Sequence, residues 1–326
     1  MSTYVIKYLR HGTIATGGAR HEEFFWNALT HQISARKKYV ISNKKVAKGI
    51  FKSWQNVLLL IWGFIQADAD LNIVVGRLAL PSILRNLFSH SKTMIVLHNF
   101  DEQDAKGKLL KYYYKILFYV LRQFPSKRIS IVVVSPYFYQ YFTTKFPKIP
   151  VFLFPNLFDT AYYNTFKQDR NPNKILLGQY SKKMDPSIFK LAALLHQEGY
   201  QCFFCTLRQE EAAQHEHYEI KKLSFEDYLN AMASSYCSLS LSGVKEGWPR
   251  MVHESLLVGT PVIGFQTGGL GDLLMASNSY IVHDAYEAFH LIKEGNLKLN
   301  LPLDFVNKYD ISASTAFLEP IINYLE

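Results

Sequence analysis

The segment 246–269 constrains the fold and the chemistry of this chain more than any other stretch. It reads EGWPRMVHESLLVGTPVIGFQTGG, with two glutamates eight positions apart and a Gly-x-Pro turn between them. A short apolar helix, a Gly-Thr-Pro turn, a buried-strand run and a glycine pair follow. A turn that opens a helix presents backbone N–H groups and the positive end of the helix dipole, which together favour phosphate. Because the glutamates can accept hydrogen bonds from sugar hydroxyls on either side, the segment predicts a site for a nucleotide-sugar diphosphate.

This segment resembles the Glu-x7-Glu signature of family 4 glycosyltransferases, which are retaining enzymes. The residues that match are Glu246, Gly247, Pro249, Glu254, Gly259, Pro261, Val262, Ile263, Gly268 and Gly269. The alternative is a plain strand–helix–strand with solvated glutamates, since any charged helix supplies such pairs. The resemblance implies an α/β fold with two Rossmann-like domains facing across a cleft, the GT-B architecture. It also implies transfer of a sugar from a nucleoside-diphosphate sugar with retention of anomeric configuration.

Strand-like and helix-like runs alternate through both halves of the chain, which predicts parallel sheets covered by helices. We expect one Rossmann-like domain over residues 1–160, which would carry the acceptor site and, given its basic and aromatic composition, face the membrane. A second domain over 161–309 is expected to bind the donor. A helix at about 310–326 is expected to pack back on the first domain, as it often does in the fold that the chain resembles.

Composition and charge fit a globular protein with a basic first half. The chain has 326 residues, of which 48% are hydrophobic and 19% charged, and its net charge is +9. The basic excess lies in the first half, which predicts an anionic partner for that domain. Three cysteines and no signal peptide favour a reducing cytoplasm. Cys202 and Cys205 lie in an apolar run, where two buried thiols are favoured over a metal or redox site.

Two candidate site features lie in the first half. Gly17 and Gly18 follow the first strand, where glycines let the backbone approach a diphosphate, and Arg20 just beyond adds charge. The family has a Gly-Gly loop here that meets the donor; a flexible turn is the alternative. His98 ends an apolar strand, and the carboxyl ends of parallel strands bind ligands in open α/β sheets. The family often has a histidine here that contacts the donor sugar, and the alternative is a histidine satisfied by local backbone.

A lysine pair follows the first strand of the second half. Family members usually carry an arginine just after this strand and a lysine about five residues later, and both neutralise the leaving diphosphate. Here Gln179 stands at the arginine position. Lys183 is the first choice for the lysine role and Lys182 the alternative, against two solvated loop lysines. The missing arginine leaves leaving-group stabilisation in question, and Arg250 or Arg20 are the candidates to compensate.

The resemblance assigns roles to the individual residues. Glu246 would bind hydroxyls of the donor sugar, Glu254 would accept hydrogen bonds from the ribose, and no metal or cofactor is required. The implied catalytic residues are Glu246, His98 and Lys183. The implied donor-binding residues are Gly17, Gly18, Arg20, Lys182, Gly247, Trp248, Arg250, Met251 and Glu254.

Two basic and aromatic stretches, 44–66 and 106–128, favour contact with an anionic membrane surface. Neither is apolar enough to span a bilayer, and the alternative is helices packed on the sheet with lysines in water. With the resemblance, this implies a glycan or lipid-linked acceptor and a peripheral protein on the inner face of the cytoplasmic membrane. Bacterial surface-polysaccharide or lipopolysaccharide synthesis is the implied setting by analogy. A nucleic-acid partner is not expected, because no known binding motif accompanies the charge.

Three other functions fit parts of the pattern. A nucleotide-sugar epimerase on the same fold would consume donor without an acceptor. A non-catalytic nucleotide-sugar-binding module is kept open by Gln179. A basic nucleic-acid binder would show salt-sensitive binding to unrelated DNA.

Overall fold

The computed structural model describes residues 4–10, 17–33, 35–42, 61, 69–86, 88–98, 108–181, 183–206 and 208–326. The chain divides into two compact units. Unit 1 comprises Met1–Pro155 together with Ser314–Glu326, and unit 2 comprises Asn156–Ala313. Unit 1 is therefore built from two separate pieces of the chain.

Parallel strands form the described sheet of unit 1. They are β1 (Tyr4–Arg10), β2 (Ala35–Ser42), β3 (Leu71–Val75), β4 (Lys92–Leu97), β5 (Ile129–Val133) and β6 (Val151–Leu153). Their order is β2-β1-β3-β4-β5-β6, and every neighbouring pair is parallel. Every residue of β3 and β5 is buried. Both strands are nearly continuous apolar runs because helices cover a parallel sheet on both faces.

Helices surround this sheet. They are α1 (Gly17–Gln32), α2 (Ala79–Asn86), α3 (Lys108–Gln123), α4 (Pro136–Lys145) and a terminal helix (Ser314–Leu325), with a 3-10 turn at Gly76–Leu78. The terminal helix buries Leu318, Ile321 and Leu325 in unit 1. Its final carbonyl groups, at Tyr324 and Leu325, accept hydrogen bonds of 3.0 and 2.6 Å from the Lys92 ammonium group. These bonds satisfy carbonyl groups that a helix end otherwise leaves without partners.

The sheet of unit 2 has the strand order of a Rossmann fold. Its strands are β7 (Asn171–Gln179), β8 (Gln201–Thr206), β9 (Ala213–Gln214), β10 (Glu219–Lys222), β11 (Ser235–Ser240), β12 (Val262–Phe265) and β13 (Tyr280–Val282). The order is β13-β12-β11-β7-β8-β10-β9, with only the short β9 antiparallel among the described strands. Without β9, this is the 3-2-1-4-5-6 order, which reverses between β7 and β11. Ligands of such sheets bind at the carboxyl ends of the strands beside that reversal.

Short turns precede the helices of unit 2, and some of these turns cap the helix that follows. They are α5 (Thr160–Asn164), α6 (Ser187–Gln197), α7 (Phe225–Ala233), α8 (Arg250–Leu257), α9 (Gly268–Ala276), α10 (Ala285–Lys293) and α11 (Leu303–Lys308), with 3-10 turns at Gln209–Glu211 and Ile311–Ala313. Ser224 and Asp284 cap α7 and α10 by accepting from backbone N–H groups of the first turn. One apolar core lies under α6 and α10, and another lies under α7 and α8.

Candidate functional site

The turn 246–249, named here the entrance turn, joins the carboxyl side of β11 to the start of α8. The Glu246 carbonyl accepts a hydrogen bond of 2.8 Å from the Gly269 N–H group, at the start of α9. Gly268 has a φ of +53°, and a Cβ atom there would lie 2.8 Å from the Glu246 carbonyl oxygen. Only glycine fits this approach without strain. The starts of α8 and α9 therefore both lie next to the entrance turn, and helix starts favour anions.

The Glu246 side chain lies at the reversal point of the sheet. Its carboxylate forms an ion pair of 3.1 Å with the Lys183 ammonium group and lies 3.4 Å from the Ser242 hydroxyl. Lys183 follows β7, and Ser242 follows β11. The Glu246 side chain is 15% exposed and that of Lys183 is 44% exposed. A carboxylate and a partly exposed cation therefore meet at the edge where sheets of this strand order bind ligands.

Glu254, on α8, lies in a more enclosed setting. One of its oxygens accepts hydrogen bonds of 3.2 Å from the Tyr163 hydroxyl and the Arg250 guanidinium, and the other accepts one of 3.4 Å from the Tyr228 hydroxyl. Burial and the Glu254 charge raise the pKa of both tyrosines, so that both hydroxyls stay protonated and donate. A carboxylate offers about four acceptor positions, so three donors leave roughly one for a ligand.

The other predicted residues of the segment 246–269 lie in the entrance turn and the first turn of α8. Pro249 precedes the first helical residue, Arg250, with a φ of −68° and a ψ of 109°. The first-turn N–H groups of α8, including that of Met251, have no acceptor within the helix. Gly247 and Trp248 lie within the entrance turn, and the Trp248 side chain is buried, with 4% exposed.

Unit 1 carries a second polar cluster, at the carboxyl end of β4. The His98 Nε2 atom lies 2.9 Å from a Glu22 carboxylate oxygen, and the Tyr8 hydroxyl donates to the other oxygen at 3.0 Å. The side chains of His98 and Glu22 are 19% and 12% exposed. Glu22 lies on α1, and the sequence did not identify it as a site residue. In this cluster a carboxylate fixes the orientation of an imidazole ring.

Some of the remaining predicted residues lie in described parts of the chain, and others do not. Gly17 and Gly18 are the first two residues of α1, and the Arg20 side chain is exposed. Lys182 lies outside the described residues, and so does the stretch 44–66 apart from Ile61.

Cys202 and Cys205, on β8, are buried free thiols, as expected. Burial raises the pKa of each to about 12. Within the described ranges, no three His, Cys, Asp or Glu side chains are grouped closely enough to hold a metal ion.

The described part of the 106–128 stretch exposes one face of α3. Large side chains on this face are strongly exposed: Tyr112 at 63%, Ile116 at 52% and Tyr119 at 62%. Lys115 and Arg122 are exposed on the same helix. We name these five residues the α3 stripe. Among the described residues, no helix has the length and apolar character needed to cross a bilayer.

Comparisons with known proteins identify the fold. No protein-family profile and no curated protein sequence matches the chain. The structure of Anabaena Alr3699/HepE in complex with UDP and glucose is similar with a TM-score of 0.68 at 12% identity, over 98% of this chain and 99% of that one. Sucrose-phosphate synthase from Thermosynechococcus elongatus is similar with a TM-score of 0.73 at 11% identity, over 98% of each chain. A glycosyltransferase from Rickettsia africae gives 0.62 at 13% identity, over 100% and 96%.

These similarities confirm the predicted fold class. The chain has the α/β GT-B fold, which consists of two Rossmann-like domains with parallel sheets. Identities this low show the fold alone. Membership of family 4, the site residues and retention of configuration stay predictions.

Proposed function

We propose that this protein is a glycosyltransferase that moves a sugar from a nucleoside-diphosphate sugar to a glycan or lipid-linked acceptor, with retention of configuration. The observation that carries the proposal is the Lys183–Glu246 ion pair at the reversal between β7 and β11, beside the starts of α8 and α9. Structures of HepE hold UDP, or UDP-glucose. UDP-sugars are therefore the first donors to test.

The ion pair suggests how a donor would engage unit 2. The donor diphosphate would compete with Glu246 for the Lys183 ammonium group, because the diphosphate as a whole carries two negative charges and the carboxylate carries one. Glu246 would then be released to accept hydrogen bonds from the donor sugar. The first-turn N–H groups of α8 would stabilise the charge that grows on the leaving diphosphate.

The transfer step is balanced without a further reagent. The bond between the anomeric carbon and the diphosphate oxygen breaks, and the acceptor oxygen bonds to the same face of that carbon. The acceptor proton passes to the leaving phosphate. We propose that no metal ion takes part, because Lys183 and the helix starts supply positive charge; the same rate with and without EDTA is the expected result.

Glu254 and His98 complete the proposed assignment. Glu254 has roughly one acceptor position left for a ribose hydroxyl, and exchange with Arg250 would free a second. In unit 1, Glu22 holds the His98 ring by one nitrogen. The other ring nitrogen would then contact a sugar hydroxyl.

We further propose that the α3 stripe contacts an anionic membrane surface, which would bring unit 1 to a lipid-linked acceptor on the inner face of the cytoplasmic membrane. Aromatic rings beside cations suit the headgroup region, and each Lys or Arg near such a surface contributes about 1 kcal/mol. The double variant K115E/R122E should therefore weaken binding to vesicles of phosphatidylglycerol and phosphatidylethanolamine by about 30-fold or more. Equal binding of both proteins to these vesicles would exclude the stripe as the contact surface.

A non-catalytic nucleotide-sugar-binding module is the second candidate. It is favoured by one observation: β7 ends at Gln179, where the resembled family has an arginine. Such a protein would bind donor without turning it over.

The deciding experiment is a thermal-shift screen against UDP-, GDP-, ADP- and TDP-sugars, followed by a transfer assay with the donor that binds. A true donor raises the melting temperature by mass action. Binding with transfer to a lipid-linked glycan supports the proposal, and binding without turnover supports the module. Donor consumption that yields a free sugar isomer identifies an epimerase. Failure of every donor to bind would overturn all three.

A further inference from the structure

The entrance turn is held in place through Trp248, by side chains that come from outside the turn. The Trp248 carbonyl accepts a hydrogen bond of 3.1 Å from the Asn156 side-chain amide. The Trp248 indole N–H donates a bond of 3.0 Å to the Nδ1 atom of His253, on α8. Together with the bond between the Glu246 carbonyl and Gly269, these contacts fix the turn at three points.

His253 is completely buried in an aromatic cage. Its ring centroid lies 4.3 Å from that of Phe158, 4.9 Å from that of Phe305 and 5.3 Å from that of Tyr309. Burial, reinforced by the nearby Arg250 charge, lowers the pKa of His253 well below its usual value, so the ring is neutral. Because Nδ1 accepts from the indole, the single ring proton lies on Nε2.

The buried polar side chains of this arrangement lower the stability of the folded state, a cost that a phenylalanine at position 253 would avoid. Within the described part of the chain, the buried Nε2 atom of His253 and the buried Oδ1 atom of Asn156 have no hydrogen-bond partner. A buried polar atom without a partner destabilises the folded state. Both residues thus keep one unsatisfied atom while their other polar atom holds Trp248.

We propose that His253 and Asn156 are positioning residues for the anion site, and that they act through Trp248. By fixing the entrance turn before a ligand arrives, they keep the first-turn N–H groups of α8 aimed at one point, which lowers the entropic cost of binding. The inference rests on the proposed function for its ligand, the diphosphate group of the donor.

The test compares His253→Phe with His253→Gln, which retains a carbonyl acceptor for the indole. The chain has four tryptophans, so a proton–nitrogen NMR spectrum shows few indole signals, and Trp248→Phe identifies the one that belongs to Trp248. We expect His253→Phe to shift that signal upfield and to raise the Kd for UDP about tenfold. His253→Gln should restore the Kd to within about threefold of the original value. Asn156→Asp, which replaces the donor by an acceptor, should also raise the Kd.

A double-mutant cycle separates positioning from simple destabilisation. In a Trp248→Phe background, His253→Phe should raise the Kd for UDP no further, because no indole N–H remains to be held. An equal rise of the Kd for UDP in both backgrounds would overturn the proposal. So would a His253→Phe variant in which both the Kd and the Trp248 indole signal are unchanged.

Failure of the proposed function gives a different result. If the unmodified protein binds none of UDP, GDP, ADP and TDP, the donor assignment fails. Amide hydrogen exchange then tests whether His253 positions the entrance turn. Faster exchange at residues 247–251 in His253→Phe, with restoration in His253→Gln, then supports positioning. Unchanged exchange contradicts it. If UDP binds and the Kd is the same in all His253 variants, positioning fails while the donor assignment stands.

Discussion

The carboxyl ends of the two sheets carry similar pairs with different chemistry. In unit 2, Glu246 pairs with Lys183 at 3.1 Å, beside two helix starts. In unit 1, Glu22 pairs with His98 at 2.9 Å and also accepts from Tyr8. The lysine ammonium group is a compact charge with three donors, whereas the histidine ring offers two nitrogens at fixed angles. The sheet edge of unit 2 therefore suits an anion such as diphosphate, and that of unit 1 suits hydroxyl groups.

The same sheet edge is therefore adapted in each unit by its cation and by the local helix geometry. Lys183 is nearly half exposed and can move to a ligand, whereas the His98 ring is held among less exposed groups. We therefore expect substitutions in unit 2 to remove charge stabilisation and those in unit 1 to alter alignment.

The largest expected effect lies in unit 2. Glu246→Gln should lower the transfer rate by about 10²–10³-fold, because Glu246 would orient the sugar where charge develops. The measurement is steady-state transfer with the donor identified by thermal shift. The matched control is Glu294→Gln, an exposed glutamate that follows α10. A rate within threefold of the original protein would show that Glu246 does not orient the donor sugar.

A second test separates the two glutamates of unit 2. Glu254→Ala should lower the free energy of unfolding by about 3 kcal/mol, because it leaves Arg250 and the hydroxyls of buried Tyr163 and half-buried Tyr228 without their acceptor. Glu246→Ala should cost less than about 1 kcal/mol, because its lysine partner is nearly half exposed to solvent. Urea denaturation of both variants measures the difference. Equal losses of unfolding free energy in the two variants would show that the deeper burial of Glu254 does not make it more important for stability than Glu246.

Unit 1 should respond less strongly. Glu22→Gln should reduce the transfer rate about tenfold, because it weakens a charge-assisted hydrogen bond to His98 while leaving the shape intact. The control is Glu319→Gln, an exposed residue of the terminal helix. If Glu22→Gln reduces the rate as much as Glu246→Gln, the two edges are not chemically distinct.

The smallest effect concerns acid stability. The pKa of His253 is lowered by burial and by Arg250, so on acidification the unfolded chain binds a proton there before the folded chain does. Stability should therefore fall as the pH drops below about 6.5, by about 1 kcal/mol between pH 6.5 and pH 5.5. His253→Gln should lose this part of the slope. Parallel pH profiles of the unfolding free energy for the two proteins would contradict the assignment.

Local sequence was enough for the features that lie within one continuous segment. The Gly268–Gly269 pair, the Pro249 turn and both glutamates belong to one continuous segment, from the end of β11 to the start of α9, so their spacing predicts that they lie close together. The alternation of strands and helices likewise predicted parallel sheets covered by helices. The GT-B fold, which the family resemblance implied, is confirmed by the comparisons.

The partners of these residues depend on tertiary structure. Glu22 and His98 are 76 residues apart, and Tyr163 and Glu254 are 91 apart. Glu22 lies on a helix beside another glutamate, and nothing in its local pattern distinguishes an inward acid from a solvated one. The sequence therefore could not predict the Glu22 cluster, the tyrosines on Glu254 or the bond between Trp248 and His253.

The terminal helix has a consequence for synthesis on the ribosome. Its Phe317 and Tyr324 rings lie 6.5 and 5.4 Å from those of Phe154 and Phe152, in the other piece of unit 1. Residues 156–313 are translated before this helix exists. During that interval the aromatic surface that the helix later covers lacks this partner, so unit 1 can complete its core only after unit 2 has been translated.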